Sequence, residues 1–161
     1  MNFIKRIDDL GRIVIPKEVR RFLDIQNNEN MEISINNNEI VLKKYNFLNK
    51  LEKNLIKLCN LVQNISNKII VVTDRDKVIY STIESIINKE ISNKLKDNII
   101  NQKELDLNIH ITDEYKIESN FIYKPLIIES NQVGLIILIG EDINEKDELL
   151  LEIVSKYINT I

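Results

Sequence analysis

The stretch DDLGRIVIPKEVRRFL, residues 8–23, decides how this chain is read. Two aspartates precede a Gly-Arg pair, a β-branched run follows, and a proline leads into a paired arginine. Gly11 supplies a turn, Arg12 to Ile15 reads as a strand, and Pro16 closes it. Proline suits the first turn of a helix, where its missing N–H is not needed. Lys17 to Leu23 therefore reads as a short helix with Val19, Phe22 and Leu23 on its apolar side. Working outward, Phe3 to Ile7 can form a strand before the turn, and Gln26 to Asn30 is a polar loop. Met31, Ile33 and Ile35 alternate with Glu32 and Ser34, the period of a half-buried strand. Asn36-Asn37-Asn38 is a turn, because asparagine tolerates positive φ. Ile40 and Leu42 resume the alternation as far as Tyr45. The expectation is four short strands and one helical turn. A piece of roughly 45 residues buries too little surface to fold securely alone. The chain's one cysteine, Cys59, excludes an intramolecular disulfide as a remedy. Two copies sharing one core, an obligate dimer, is the expected solution.

Charge sharpens this reading. The net charge of the 161 residues is −3, which argues against a generic nucleic-acid binder. Residues 1–21, however, carry Lys5, Arg6, Arg12, Lys17, Arg20 and Arg21 against Asp8, Asp9 and Glu18, a local excess of three positive charges. Four of the five arginines lie in this segment, whereas from residue 48 onward acidic residues outnumber basic ones by 18 to 14. Binding follows local potential rather than the sum, so the asymmetry matters more.

Phe47 to about Ile65 reads as a helix. Its apolar positions Leu48, Leu51, Leu55, Leu58, Val62 and Ile65 follow spacings of three and four, a heptad seam. The pattern fits an amphipathic helix packed on its own domain as well as an intermolecular coil. Cys59, beside the seam, reads as a small apolar residue. Beyond it, Ile69 to Thr73 is a strand, Asp74 to Lys77 a polar turn, and Val78 to Ser81 the returning strand. Helical patterns cover roughly Ile83 to Leu95, with a second one up to Gln102, and Leu107 to Ile111 can be a strand. Phe121 to Glu129 pairs through Ser130-Asn131-Gln132 with Val133 to Ile139. Asn144 caps a last helix whose acidic first turn suits the helix dipole. That helix has a broad apolar face of Leu150, Ile153, Val154, Tyr157, Ile158 and Ile161. The order predicts an α+β fold with an antiparallel sheet.

With these residues in view, KRIDDLGRIVIPKEVRRFL followed by MEISINNNEIVLKKY resembles the DNA-binding domain of the AbrB family of bacterial transition-state regulators. IIVVTDRDKVIY and YKPLIIESNQVGLIILIGEDINEKDELLLEIVSKYI look like the GAF-like C-terminal domain of a sporulation regulator in that family. The resemblance implies a dimeric swapped-hairpin β-barrel over residues 1–46, a joining helix over 47–66, and a GAF-like sensor or oligomerisation domain over 67–161. It further implies double-stranded DNA as partner, a homodimer or homotetramer, and a role in spore development. A small-molecule ligand in the GAF-like domain is left open. The family's DNA-contacting basic residues fall on Lys5, Arg12, Arg20 and Arg21, with Arg6 alongside. Lysines and arginines that neutralise phosphates release counterions, and arginine's planar fork can also grip guanine O6 and N7. Lys5 stands where the best-known members have arginine, which keeps the charge but not the fork. Arg20 and Arg21 point about 100° apart on a helix, so one can meet DNA while the other braces Asp8 or Asp9. The competing reading of these arginines is an internal salt-bridge network with Asp8, Asp9 and Glu18. Lys43 and Lys44 read as edge-strand charges.

Catalysis finds little support. The single histidine, His110, lies in an apolar-alternating stretch, and no Cys/His spacing suits a metal. Asp74, Asp76, Asp113 and Glu114 read as acidic turns, and the three glycines form no phosphate loop. The chain is expected to be no enzyme and to need no cofactor. No apolar run approaches the roughly 20 residues of a membrane span, and no N-terminal signal is present, so a cytoplasmic, nucleoid-associated protein is expected. Two rivals to a DNA regulator stand beside it. One is an antitoxin-like or adaptor module, since swapped-hairpin barrels also occur in toxin antidotes. The other is a GAF small-molecule sensor whose barrel no longer binds DNA.

Overall fold

The computed structural model describes residues 2–27, 29–45, 47–128 and 130–159. The chain divides into two compact units, Met1–Tyr45 and Asn46–Ile161.

The first unit holds helix α1 (Lys17–Phe22) and the hairpin of β1 (Met31–Asn36) and β2 (Glu39–Lys44). The hairpin pairs Ile33 with Leu42 and Ile35 with Ile40, and Asn37 and Asn38 turn it with φ of 45° and 68°. Two successive left-handed residues match the right-handed twist of the strands they join. The expected strands Phe3–Ile7 and Arg12–Ile15 carry no regular secondary structure and no ladder. A strand exists only through a partner's backbone, and one copy of the chain supplies none for these two segments. Pro16 sits at the N-cap of α1 (φ −55°, ψ 147°), one position before the expected first turn, and its carbonyl accepts the Arg20 N–H at 3.0 Å. No described residue of this unit is buried.

The second unit is built on a four-stranded antiparallel sheet in the order β4-β3-β6-β5, with β3 (Ile69–Thr73), β4 (Val78–Ser81), β5 (Phe121–Ile128) and β6 (Asn131–Ile139). The near-continuous apolar runs of β3 and β6 are explained by cover on both faces. On one face Ile70, Val72, Ile136 and Leu138 pack against Leu55, Cys59 and Val62 of α2 (Phe47–Ser66) and Leu151, Val154 and Ile158 of α4 (Glu145–Asn159). On the other, Val71, Leu135, Ile137 and Ile139 pack against Leu95 and Ile99 of α3 (Asn93–Asn101) and against Ile109, Ile111 and Ile117. Gly134 lets β6 approach β3 closely, since a Cβ there would overlap the Thr73 carbonyl oxygen. The result is a mixed α+β unit of sheet and helices.

Asn144 and Asp147 cap α4 reciprocally. The Asn144 Oδ1 accepts the Lys146 and Asp147 N–H groups, and the Asp147 Oδ2 accepts the Asn144 N–H at 3.1 Å. The apolar face expected of this helix divides. Val154 and Ile158 join the core with Leu151, whereas Ile153 and Tyr157 face solvent; Ile161 lies outside the described residues. The seam of α2 divides too, with Leu55 and Val62 buried, Leu58 half-buried and Ile65 exposed, while Cys59 beside it is buried. The seam positions Leu48 and Leu51 lie outside the residues whose side chains are described. A hydrogen bond from the Tyr80 hydroxyl to Asn60 Oδ1 at 2.6 Å ties α2 to β4, and one from Ser155 Oγ to the Pro125 carbonyl ties α4 to β5.

The helix expected over Ile83–Leu95 is instead a single 3-10 turn at Glu84–Ile86, an extended passage, and then α3. Asn88 takes a left-handed φ of 63° that ends any helix. The N–H of Val78 then donates to the Lys89 carbonyl, and Ile91 N–H to the Asp76 carbonyl. Ser92 Oγ accepts the Leu95 N–H as N-cap of α3 and donates to the His110 carbonyl at 2.6 Å. The strand expected at Leu107–Ile111 shrinks to one bridge between His110 and Lys116. β6 begins at Asn131, two residues earlier than expected, after Ser130 at φ 67°.

Candidate nucleic-acid interface

The basic segment is built from a turn and a short helix. Gly11, at φ +75°, folds residues 8–12 back so that its N–H reaches the Asp8 carbonyl at 2.9 Å and the Asp8 N–H reaches the Arg12 carbonyl at 3.0 Å. The passage from Arg12 to Pro16 leads into α1, which carries Arg20 and Arg21 in its last turn, where cations suit the dipole.

Each basic residue expected in the site has its own setting. Lys5 and Arg6 lie in an exposed segment without regular secondary structure and form no ion pair among the described residues. Arg12 is exposed, and its Nε donates to Asp8 Oδ2 at 2.8 Å. Arg20 is half-buried; its Nη1 donates to Asn27 Oδ1 at 3.3 Å, and its Nε is buried without a partner. Arg21 is exposed with no ion pair among the described residues. The expected bracing of Asp8 or Asp9 by Arg20 or Arg21 is therefore corrected. Asp8 holds Arg12, its neighbour across the Gly11 turn, and Asn27 holds Arg20. Local closure wins because the turn brings positions 8 and 12 together without any tertiary contact.

Asp8 also organises the turn itself. Its Oδ1 accepts the Leu10 N–H at 3.0 Å and the Arg12 N–H at 2.8 Å. The Arg12 backbone N–H first, and then its guanidinium, hold the Asp8 carboxyl below its ordinary value. Asp8 and Asn27 were not among the expected site residues. The spacing of a carboxylate four residues before an arginine, across a glycine, signals the first; nothing local signals the second. Lys43 is exposed, and Lys44 is half-buried beside Met31 on the opposite face of the hairpin.

Elsewhere, no trio of His, Cys, Asp and Glu among the described residues is grouped to hold a metal. No described helix is long and apolar enough to cross a membrane. An open groove of about 470 Å³ is lined by Leu107, Asn108, Ile117, Phe121 and Glu141, and none of its polar residues is buried. Asp74 uses its Oδ1 to accept the N–H groups of Asp76 and Lys77 within the β3–β4 turn, a structural task.

Comparison with known proteins bears on both units. Residues 4–47 match the family described as "Antidote-toxin recognition MazE, bacterial antitoxin". The chain is 27% identical to stage V sporulation protein T of Bacillus subtilis (strain 168), across 98% of this chain and 90% of that protein. It is 45% identical over 42 residues to two further proteins of the same organism, the transition state regulatory protein AbrB and the transition state regulator Abh. Those 42 residues are 26% of this chain and under half of either regulator. The first unit is thus a domain of the MazE/AbrB type, at the head of a chain homologous along its full length to stage V sporulation protein T.

Proposed function

We propose that this chain is a DNA-binding transcription regulator of the transition-state and sporulation type. The observation that carries the reading is the first unit's combination of exposed cations and an uncovered apolar hairpin face. Lys5, Arg6, Arg12 and Arg21 are exposed to solvent, and only Arg12 of the four has an acidic partner among the described residues. Met31, Ile33, Ile35, Ile40 and Leu42 share one face of the hairpin, and none of them is buried. A second copy laid on that face forms the swapped-hairpin barrel, gives the segments 3–7 and 12–15 strand partners, and doubles the basic residues. DNA offers two backbones and repeated half-sites to such a two-fold array. Arg12 and Arg21 are the leading contacts. Arg20 is engaged by Asn27 and takes a supporting place, with Lys5 and Arg6 adding phosphate contacts.

In this reading the second unit is the GAF-like domain, serving ligand sensing or further association into a tetramer. The work is that of a cytoplasmic regulator and not of an enzyme; the names of its relatives are those of regulators and a sporulation protein. A second reading follows from the family description matched by residues 4–47, which speaks of toxin recognition. There the apolar hairpin face or the basic face would hold a protein.

Gel-shift titration against random-sequence duplex DNA across salt concentrations separates the two. A DNA regulator shows affinity falling steeply with salt. Arg12→Ala should weaken binding, and Arg21→Ala should reduce the salt slope by about 0.9 for each phosphate no longer neutralised, or about 1.8 for a dimer. An unchanged affinity of Arg12→Ala would remove Arg12 from the interface, and no salt-sensitive binding by the wild-type chain would favour the protein-binding reading.

A further inference from the structure

Asp8 does more than close a turn. Its backbone and carboxylate take part in five hydrogen bonds within residues 8–12, to Leu10, Gly11 and Arg12. One of these engages the Arg12 Nε, and the two terminal nitrogens of that guanidinium have no partner among the described residues. A guanidinium has two edges able to make paired contacts, one formed by Nε with an Nη and one by the two Nη groups. With Nε occupied, only the outer edge is offered.

We propose that Asp8 is a positioning residue that aims the outer edge of Arg12 at a paired acceptor, guanine O6 and N7 in the major groove. The proposal rests on the DNA-binding reading above. An arginine serving only as a phosphate anchor gains nothing from an adjacent carboxylate, which cancels its charge and repels the backbone it should attract. Lys5, Arg6 and Arg21 have no such companion among the described residues, so the segment carries two kinds of cation. Free cations suit phosphate, and a braced one suits a contact in which direction matters more than charge. Bracing also removes side-chain freedom before DNA arrives, so less is given up when the complex forms. The brace is local and backbone-anchored. Asp8 Oδ1 is fixed by two N–H groups of the turn, which leaves Oδ2 facing Arg12.

The test uses the full chain and a pool of random-sequence DNA duplexes, sequencing the bound fraction for wild type, Asp8→Asn, Asp8→Glu and Arg12→Ala. Asp8→Asn keeps an Oδ1 acceptor for the turn but removes the negative charge and the Nε acceptor. The expected result is a split. Asp8→Asn binds the unselected pool more tightly, with a steeper salt dependence, because a negative charge has gone from each protomer. Its bound fraction loses base preference at the same positions that Arg12→Ala flattens, and Asp8→Glu, which restores the carboxylate, regains part of that preference. The proposal is overturned if Asp8→Asn retains the wild-type base preference. It is equally overturned if Asp8→Asn and Asp8→Glu both lose all DNA binding together with thermal stability, because Asp8 is then only a structural part of the turn. Should wild type and Arg12→Ala both fail to bind DNA, the DNA-binding reading itself has failed. A difference between those two with none for Asp8→Asn refutes the positioning role alone.

Discussion

Replacing Ile33 by aspartate should dissolve the dimer on which the proposed function depends. Ile33 lies mid-strand in β1, opposite Leu42 of β2, and is 69% exposed in the single chain although it sits on the hairpin's apolar face. Fully burying an isoleucine side chain contributes about 1.5–3 kcal/mol. Covering the exposed two thirds of Ile33 is therefore worth about 1–2 kcal/mol per protomer. A two-fold interface loses this twice, about 2–4 kcal/mol per dimer. That corresponds to a rise of about 30-fold to 1,000-fold in the dimer dissociation constant. The figure is a lower bound, because a carboxylate placed on that face adds its own desolvation cost. Sedimentation equilibrium on residues 1–45 over a range of concentrations measures the effect directly. The wild-type fragment should be a folded dimer and the Ile33→Asp fragment a monomer with little residual strand signal. Glu32→Gln, on the other face of the hairpin, should leave the dimer constant where it was. A wild-type fragment that is monomeric and stably folded, or an Ile33→Asp fragment with an unchanged constant, would refute the shared-core argument.

Two further outcomes concern the second unit. Leu55→Ala should cost about 2–5 kcal/mol in urea unfolding of the full chain, because Leu55 is enclosed between α2 and the sheet; a loss well under about 1 kcal/mol would show that α2 is not packed on its own unit. Cys59 should resist thiol reagents until the protein unfolds, since burial pushes its thiol up to about 12. Its ordinary value is 9.0, so the unfolded chain ionises first and stability falls as pH rises from about 9 toward 12. The urea midpoint should then fall more steeply above pH 9 for wild type than for Cys59→Val, and equal slopes would contradict the assignment.

Elements that a reader can find in the sequence differ from those that stay hidden in where their partners lie. The Asn37-Asn38 turn, the apolar runs of β3 and β6, the Asn144 cap and the full length of α2 were all legible because each is encoded by neighbours in the chain. In the candidate site, the clustering of Lys5, Arg6, Arg12, Arg20 and Arg21 was legible for the same reason. The roles of the individual arginines were not. Arg20 and Arg21 are adjacent and chemically identical, and only the fold puts one beside Asn27 and the other in solvent.

Residues 83–101 show what pattern alone could not reach. Their apolar spacing suits a helix, but Ser92 is held by the His110 carbonyl and Lys89 by the Val78 N–H, so partners remote in sequence set where α3 begins. The heptad spacing of α2 was visible, yet its division into a buried Val62 and an exposed Ile65 depended on where α4 and the sheet lay. The sequence by itself determined the β1–β2 hairpin and its turn, α2, the strands β3 and β6, and the gathering of positive charge at one end, since local propensity and hydrophobic period act over a few residues. Tertiary structure decided which apolar positions are enclosed, that segments 3–7 and 12–15 lack strand partners in one chain, and that Asp8 takes Arg12. Those outcomes depend on groups brought together by folding, and a strand or an ion pair exists only when its second half is in place.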